Sequence, residues 1–123
     1  MGSQSYRDLI VWQKAVELSV RVYKICSSFP RSEVYGLSDQ MRRAAVSVPS
    51  NIAEGQARQG LGEFRHFLSV ANGSLAELDT QRLISQQLGF LSKDDDVELE
   101  QRILELRKML YSLAVKLRAD AEN

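Results

Sequence analysis

Residues 94–119 read DDDVELEQRILELRKMLYSLAVKLRA, and their apolar side chains recur at alternating intervals of four and three residues. The repeating positions are Leu99, Ile103, Leu106, Leu110, Leu113 and Leu117. This spacing places the leucines on one side of an α-helix and is typical of helices that pack along one another. The three aspartates at the start suit the positive end of the helix dipole. We therefore expect a long amphipathic helix over about 94–119.

Three segments upstream have the same periodicity and predict helices over about 8–29, 33–58 and 62–88. Asp8 is a plausible N-cap for the first, Pro30 stops it, and Gly89 suits the position after the end of the third. The apolar positions of the first are Val11, Ala15, Leu18, Val22, Ile25 and Phe29. Those of the second are Leu37, Met41, Ala44, Val48 and Ile52. Those of the third are Phe64, Phe67, Leu68, Ala71, Leu75, Leu78 and Ile84.

Pro49 lies inside the second predicted helix and has no amide hydrogen to donate, so we expect a kink near it. The hydroxyl of Ser47 or Ser50 could compensate for the lost hydrogen bond. No segment alternates with the period of a strand, and the connections between helices are short. The sequence therefore predicts one all-α domain over 1–123, an antiparallel up-down-up-down four-helix bundle.

The first helix has more apolar surface than a bundle core usually needs. A second line beside the first consists of Trp12, Val16, Tyr23 and Cys26. An apolar stripe this wide is the first indication of an oligomer.

Composition gives general constraints on location and partners. Sixteen basic residues balance sixteen acidic ones, so no net charge attracts nucleic acid. Cys26 is the single cysteine, which favours a reducing compartment. No apolar run approaches the roughly 20 residues of a membrane span, and the N-terminus has no signal-peptide pattern. We expect a cytoplasmic protein with no membrane association.

Few residues could support catalysis. His66 is the only histidine and forms a Glu-x-x-His motif with Glu63. Di-metal bundles use that motif twice with further glutamates, so we interpret His66 as a partly exposed side chain and Cys26 as a small core residue. There is no phosphate-binding glycine loop and no nucleophile elbow. The sequence predicts no catalytic residue, no metal, no cofactor and no enzyme, and a metalloenzyme is the least favoured alternative.

The second helix has a polar line at helical spacing. It consists of Gln40, Arg43, Ser47, Asn51 and Glu54. Its neighbours are mostly small or apolar, which suggests partial burial. Two interpretations stay open, a structural hydrogen-bonded network or subunit contact, and a binding surface. Gly55 permits close approach of another helix or begins the helix end.

Several basic residues could contact phosphates. Arg7, Lys14 and Arg21 recur every seven residues on one side of the first helix, and the other candidates are Arg42, Arg43, Arg58 and Arg65. Ordinary solvated charge is the alternative for each set. These stripes would become a strong electrostatic footprint only if several subunits assembled.

Short motifs follow one another along the chain: VWQKA at 11–15, FP at 29–30, YGL at 35–37, QMRRAA at 40–45, SVPSNIAEG at 47–55, GSL at 73–75 and LG at 88–89. These motifs closely resemble the ribosomal-RNA intervening-sequence protein family, whose members are often called four-helix bundle proteins. The resemblance extends from about Tyr6 into the fourth helix, which matches only as a heptad pattern. The NIAEG segment is its most specific part.

The resemblance implies a bacterial protein, often encoded within an insertion in a large-subunit ribosomal RNA gene. It also implies a homopentamer, in agreement with the wide apolar stripe. A related group, the accessory proteins of diversity-generating retroelements, binds a reverse transcriptase and nucleic acid. Our leading hypothesis is a non-catalytic pentameric bundle that binds structured RNA or a nucleoprotein complex. The alternative is a protein-interaction scaffold, for example an accessory subunit of a retroelement reverse transcriptase.

Overall fold

A computed structural model describes residues 5–122, and within that range the chain is helical and contains no strand. Four long helices follow one another: α1 (Ile10–Cys26), α2 (Leu37–Ala57), α3 (Leu61–Gln87) and α4 (Lys93–Glu122). Short 3₁₀ helices at Tyr6–Asp8 and Arg31–Glu33 precede α1 and α2. The predicted all-α four-helix fold is confirmed.

Each helix packs against the next in sequence, and α4 closes back onto α1. Contacts between side chains show that α1 and α4 are antiparallel. Lys14 near the start of α1 pairs with Glu105, whereas Arg21 near its end pairs with Glu98 at the start of α4. None of the helices in the described range is long and apolar enough to cross a membrane.

The core runs along the axis between the four helices. Each helix contributes side chains with essentially no exposed surface, among them Leu18, Met41, Leu75 and Leu106. Full burial of one such side chain contributes about 1.5–3 kcal/mol to folding. The apolar positions predicted for α4 are buried or half-buried, as their spacing requires. One prediction for α3 is wrong: Ile84 is 45% exposed, because it lies on the outer side of the helix.

The ends of α1 differ from the prediction. Asp8 is not its N-cap: it lies in the first 3₁₀ turn, where the Ser5 hydroxyl accepts a hydrogen bond from the amide of Arg7 at 3.1 Å. The helix begins at Ile10 and ends at Cys26, three residues before Phe29. Phe29 is nevertheless buried, because the following turn folds it into the core.

The second helix begins at Leu37 and not near residue 33. Residues 31–33 form a tighter 3₁₀ turn, and Gly36 separates it from α2. The carboxylate of Glu33 accepts a hydrogen bond from the amide of Leu37 at 3.1 Å, which satisfies one of the free amides at the start of α2. Glu33 therefore caps the start of α2 from the preceding turn.

Pro49 is buried within α2, which continues through it without a break. The missing amide leaves the carbonyl of Ala45, four residues earlier, without its helical donor. The hydroxyl of Ser19 on α1 lies 2.9 Å from that carbonyl oxygen and donates to it. The expected compensation by Ser47 or Ser50 is therefore wrong, since the donor comes from the neighbouring helix.

Gly55 allows α2 and α3 to approach closely. A Cβ atom at this position would lie 2.7 Å from the Cβ of Phe67 and 3.1 Å from the ring of Phe64. Contacts this short would force the two helices apart. The predicted role of Gly55 in close helix approach is confirmed.

Candidate nucleic-acid interface

The charges of α4 are segregated along its length. Its first thirteen residues, 93–105, contain six acidic side chains, whereas residues 106–119 contain none. The acidic set is Asp94, Asp95, Asp96, Glu98, Glu100 and Glu105. The basic side chains of residues 106–119 are Arg107, Lys108, Lys116 and Arg118, and the helix ends with the acidic Asp120 and Glu122. Residues 93–105 and residues 106–119 of this helix therefore differ in the ligands they can attract.

Arg82 on α3 ties the acidic half of α4 to the bundle. Its guanidinium pairs with Asp96, with Glu100 at 3.2 Å and with Asp79 at 3.0 Å, and the residue is only 7% exposed. Burial opposes its charge, but hydrogen bonds to Asp96 and Asp79 outweigh burial and raise its pKa above the ordinary value. With three carboxylates around it, this charge serves the fold and is closed to a ligand.

The predicted basic stripe on α1 is largely neutralised. Arg21 donates two hydrogen bonds to Glu98, at 2.7 and 2.8 Å, and Glu98 also accepts one from Arg102 at 2.9 Å. Lys14 pairs with Glu105 at 3.3 Å. Arg7 lies in the first 3₁₀ turn, with its guanidinium 5.9 Å from the centre of the Trp12 ring. Lys14 and Arg21 therefore fasten α1 to α4 and leave little free charge for a phosphate.

Three candidate arginines on and after α2 are also engaged within the chain. Arg42 donates to the carbonyl of Val34 at 3.0 Å. Arg43 is well exposed and pairs with Asp39 at 2.9 Å. Arg58 pairs with Glu54 at 3.3 Å, and its guanidinium lies over the ring of Phe67. These contacts partly neutralise the charges of the three arginines. They contribute little to stability, because exposed ion pairs are weak.

The polar line on α2 divides into two parts. Ser47 and Asn51 form a network: the Asn51 amide donates to Ser47, whose hydroxyl lies 2.7 Å from that of Ser74 on α3. Gln40, Arg43 and Glu54 are exposed. The structural interpretation thus fits the centre of the line, and its ends remain accessible.

The residues considered for chemistry are engaged in separate contacts. His66 is exposed and packs edge-on against Phe67, while Glu63 pairs with Arg58. Between residues 5 and 122 no group of three or more His, Cys, Asp or Glu side chains is placed to hold a metal ion. Cys26 is a buried core residue as predicted, and burial raises the pKa of its thiol to about 11.

A groove between α3 and residues 106–119 of α4 brings cations without ion pairs to a cavity. The cavity has a volume of about 350 Å³, and its floor is formed by Leu68, Leu110 and Ala114. Arg65 reaches it from α3 and Arg118 from α4. Neither arginine forms an ion pair with any residue that the structure describes, and no carboxylate lines the cavity.

A second hollow adjoins the first along the same groove. Arg107, Lys108 and Ser112 line it from α4, and Asn72 and Tyr111 line both hollows. No acidic side chain lines the second hollow, and no ion pair within 5–122 engages Arg107 or Lys108. We call the residues around both hollows the α3/α4 groove. Four cations, an amide and an exposed tyrosine therefore line the two adjoining hollows.

Arg65 is the only residue of this groove among the candidates predicted from the sequence. Arg107, Lys108, Tyr111 and Arg118 were missed, since their helix was interpreted only through its apolar positions. The absence of acidic residues from 106–119 is the sequence feature that could have indicated them. The position of Arg65 beside α4 was not readable from the sequence, because it depends on how two helices pack.

A family model described as 23S rRNA-intervening sequence protein matches residues 7–112 of the chain. The chain belongs to this family. The matched range contains Arg65, Arg107, Lys108 and Tyr111, whereas Arg118 lies beyond it. Among curated proteins, no relative matches the sequence.

A solved structure with the same fold is a protein of unknown function from the S23 ribosomal protein family of Bacteroides thetaiotaomicron. It is 21% identical to this chain, with a TM-score of 0.77. The aligned region covers 85% of this chain and 98% of that one. At this identity, the likeness concerns the arrangement of the helices alone.

Proposed function

We propose that this family member is a non-catalytic, cytoplasmic homopentamer that binds structured RNA, and that the α3/α4 groove is its RNA contact. The observation that carries the proposal is the set of four cations without ion pairs around two adjoining hollows that no carboxylate lines. The family's name associates it with intervening sequences of 23S rRNA, which supports RNA as the polyanion.

The charge balance makes the position of these cations important. Because the whole chain has a net charge of zero, it has no general attraction for a polyanion. Affinity must come from a local surface where cations outnumber acids. Cations already paired with carboxylates, such as Arg21 and Arg82, would first have to break those pairs. The groove cations need no such exchange and can bind phosphates directly.

A salt titration of RNA binding tests the proposal. In the variant with Arg65, Arg107, Lys108 and Arg118 all changed to Ala, we expect weaker binding. The slope of log K against log salt should also fall by about 3, since each lost phosphate contact removes about 0.7–0.9. Fluorescence anisotropy with a labelled structured RNA measures the binding constant and its salt dependence. Protein is titrated in roughly threefold steps at each of several salt concentrations between about 50 and 300 mM.

A control variant removes a comparable number of positive charges from outside the groove. Lys24, Arg31 and Lys93 are exposed cations outside the groove, and their combined change to Ala should alter the slope far less. Equal effects of the two variants would contradict the groove as the contact. No affinity for any RNA at low salt would contradict the function itself, and co-purification of a nuclease-resistant protein partner would then favour the scaffold alternative.

A further inference from the structure

Tyr111 lies in the middle of the α3/α4 groove and is 73% exposed. It lines both hollows, and its ring has no aromatic or cation–π contact within the described chain. A tyrosine this exposed gains little from packing in the folded chain. Its flat face is instead available to a planar ligand, and base stacking on such a ring is the usual way that proteins hold unpaired nucleotides.

The cations flank this ring along the groove. Arg107 lies one helical turn before Tyr111 on α4, and Arg118 lies about two turns after it, roughly 10 Å along the axis. Arg65 reaches the same cavity from α3. A nucleic-acid strand that runs along the groove would therefore have phosphate partners on both sides of a base at Tyr111.

The rest of the cavity suits a nucleobase. Its floor of Leu68, Leu110 and Ala114 is apolar, and Asn72 at its side offers both a donor and an acceptor. The volume of about 350 Å³ lies within the range of clefts that bind small ligands, about 300–1,000 Å³. Carboxylate side chains alone would satisfy the cations but would make no use of the tyrosine face or of the apolar floor.

We propose that the groove binds an unpaired nucleotide of RNA, with its base stacked on Tyr111 and its phosphate between Arg65 and Arg118. This inference rests on the proposed RNA-binding function and specifies which part of a structured RNA is recognised. Bases within a duplex are stacked on one another, and the deep, narrow major groove of A-form RNA excludes side chains. The protein should therefore select loops, bulges or single-stranded ends.

The test compares two labelled RNAs of equal length, a hairpin with an unpaired loop and a fully paired duplex, on the full-length protein. We expect the hairpin to bind about 5- to 150-fold more tightly, the range that one stacked base provides. Tyr111→Ala should abolish this preference and leave the salt slope unchanged, since the phosphate contacts remain. Tyr111→Phe keeps the ring and should keep the preference, because stacking requires no hydroxyl.

The outcomes separate this inference from the function on which it rests. Equal affinity of the native protein for hairpin and duplex, or a loop preference that survives Tyr111→Ala, would overturn the stacking site while RNA binding stood. No RNA binding at low salt would overturn both. A circular dichroism spectrum unchanged by either substitution at this exposed position confirms that the comparison concerns binding and not folding.

Discussion

At the scale of single residues, the contact between Ser19 and the carbonyl of Ala45 replaces a hydrogen bond that is missing from α2 by one from α1. Pro49 removes an amide from α2, and a buried carbonyl without a donor costs about 1–3 kcal/mol. The Ser19 hydroxyl, 2.9 Å away, meets that need and also lies 3.0 Å from the carbonyl of Ala15. The Ala15 carbonyl can still accept its normal helical hydrogen bond, so the carbonyl of Ala45 depends on Ser19 far more.

Ser19→Ala should lower the free energy of unfolding by about 1–2 kcal/mol, because it leaves the Ala45 carbonyl buried without a donor. In a Pro49→Ala background the same substitution should cost clearly less, since residue 49 then has an amide that bonds to Ala45. Urea denaturation of the four proteins in this cycle measures the coupling. Ser50→Ala is the control, because Ser50 is exposed and should change stability by less than about 0.5 kcal/mol. Identical costs of Ser19→Ala in both backgrounds would refute the link.

At the scale of helices, the sequence predicted what depends on periodicity and missed what depends on contacts between helices. The leucine spacing of α4 and the glycine after α3 gave those elements within a few residues, because amphipathicity and capping are local. The start of α2 was placed too early, since the capping role of Glu33 depends on a turn. Arg82 was overlooked because a basic residue is normally exposed, and only packing shows the three carboxylates around it.

The ion pairs of Glu98, which connect α1 and α4, predict that the stability of the protein depends on pH. The Arg21 guanidinium, hydrogen-bonded to Glu98 and assisted by Arg102, holds the pKa of that carboxyl below its ordinary value. A lowered pKa in the folded state stabilises the protein above the unfolded pKa, and this contribution is lost as pH falls through the folded value. Glu98→Gln should therefore destabilise the protein at pH 7 by about 0.5–1 kcal/mol. The effect is small because Glu98 and its two arginine partners are half-exposed and solvent screens their charges.

Thermal or urea unfolding of native and Glu98→Gln proteins between pH 2 and 7 checks this. The difference between them should shrink toward zero at the acid end, because the native carboxylate is then protonated as well. Glu77→Gln serves as control, since Glu77 is exposed on α3 and forms no ion pair in the described range. A difference that is constant with pH would show that Glu98 acts through packing and not through its charge.

At the scale of the whole molecule, the α1 surface bears on assembly. Within one chain Trp12 and Val16 are half-buried, while Val20 and Tyr23 remain 48% and 51% exposed. Tyr23 and Val46 of α2 line one hollow, together with the polar side chains of Asp39, Arg42, Arg43 and Ser47. Large contiguous apolar patches are rare on monomers. A ring of chains that covered this surface would also present several α3/α4 grooves to one RNA, which strengthens binding through multivalency.

Val20→Glu should dissociate the proposed pentamer, because a charge at the centre of this surface cannot be buried between subunits without a partner. Light scattering coupled to size exclusion should give five times the 13.9 kDa chain mass for the native protein and a single chain for the variant. Val20→Ala removes apolar area without adding a charge and should remain assembled. The monomeric variant should keep its helical circular dichroism but bind structured RNA more weakly, since each molecule then offers one groove. A native protein that elutes as a single chain, or a Val20→Glu variant of unchanged mass, would show that subunits do not meet on this surface.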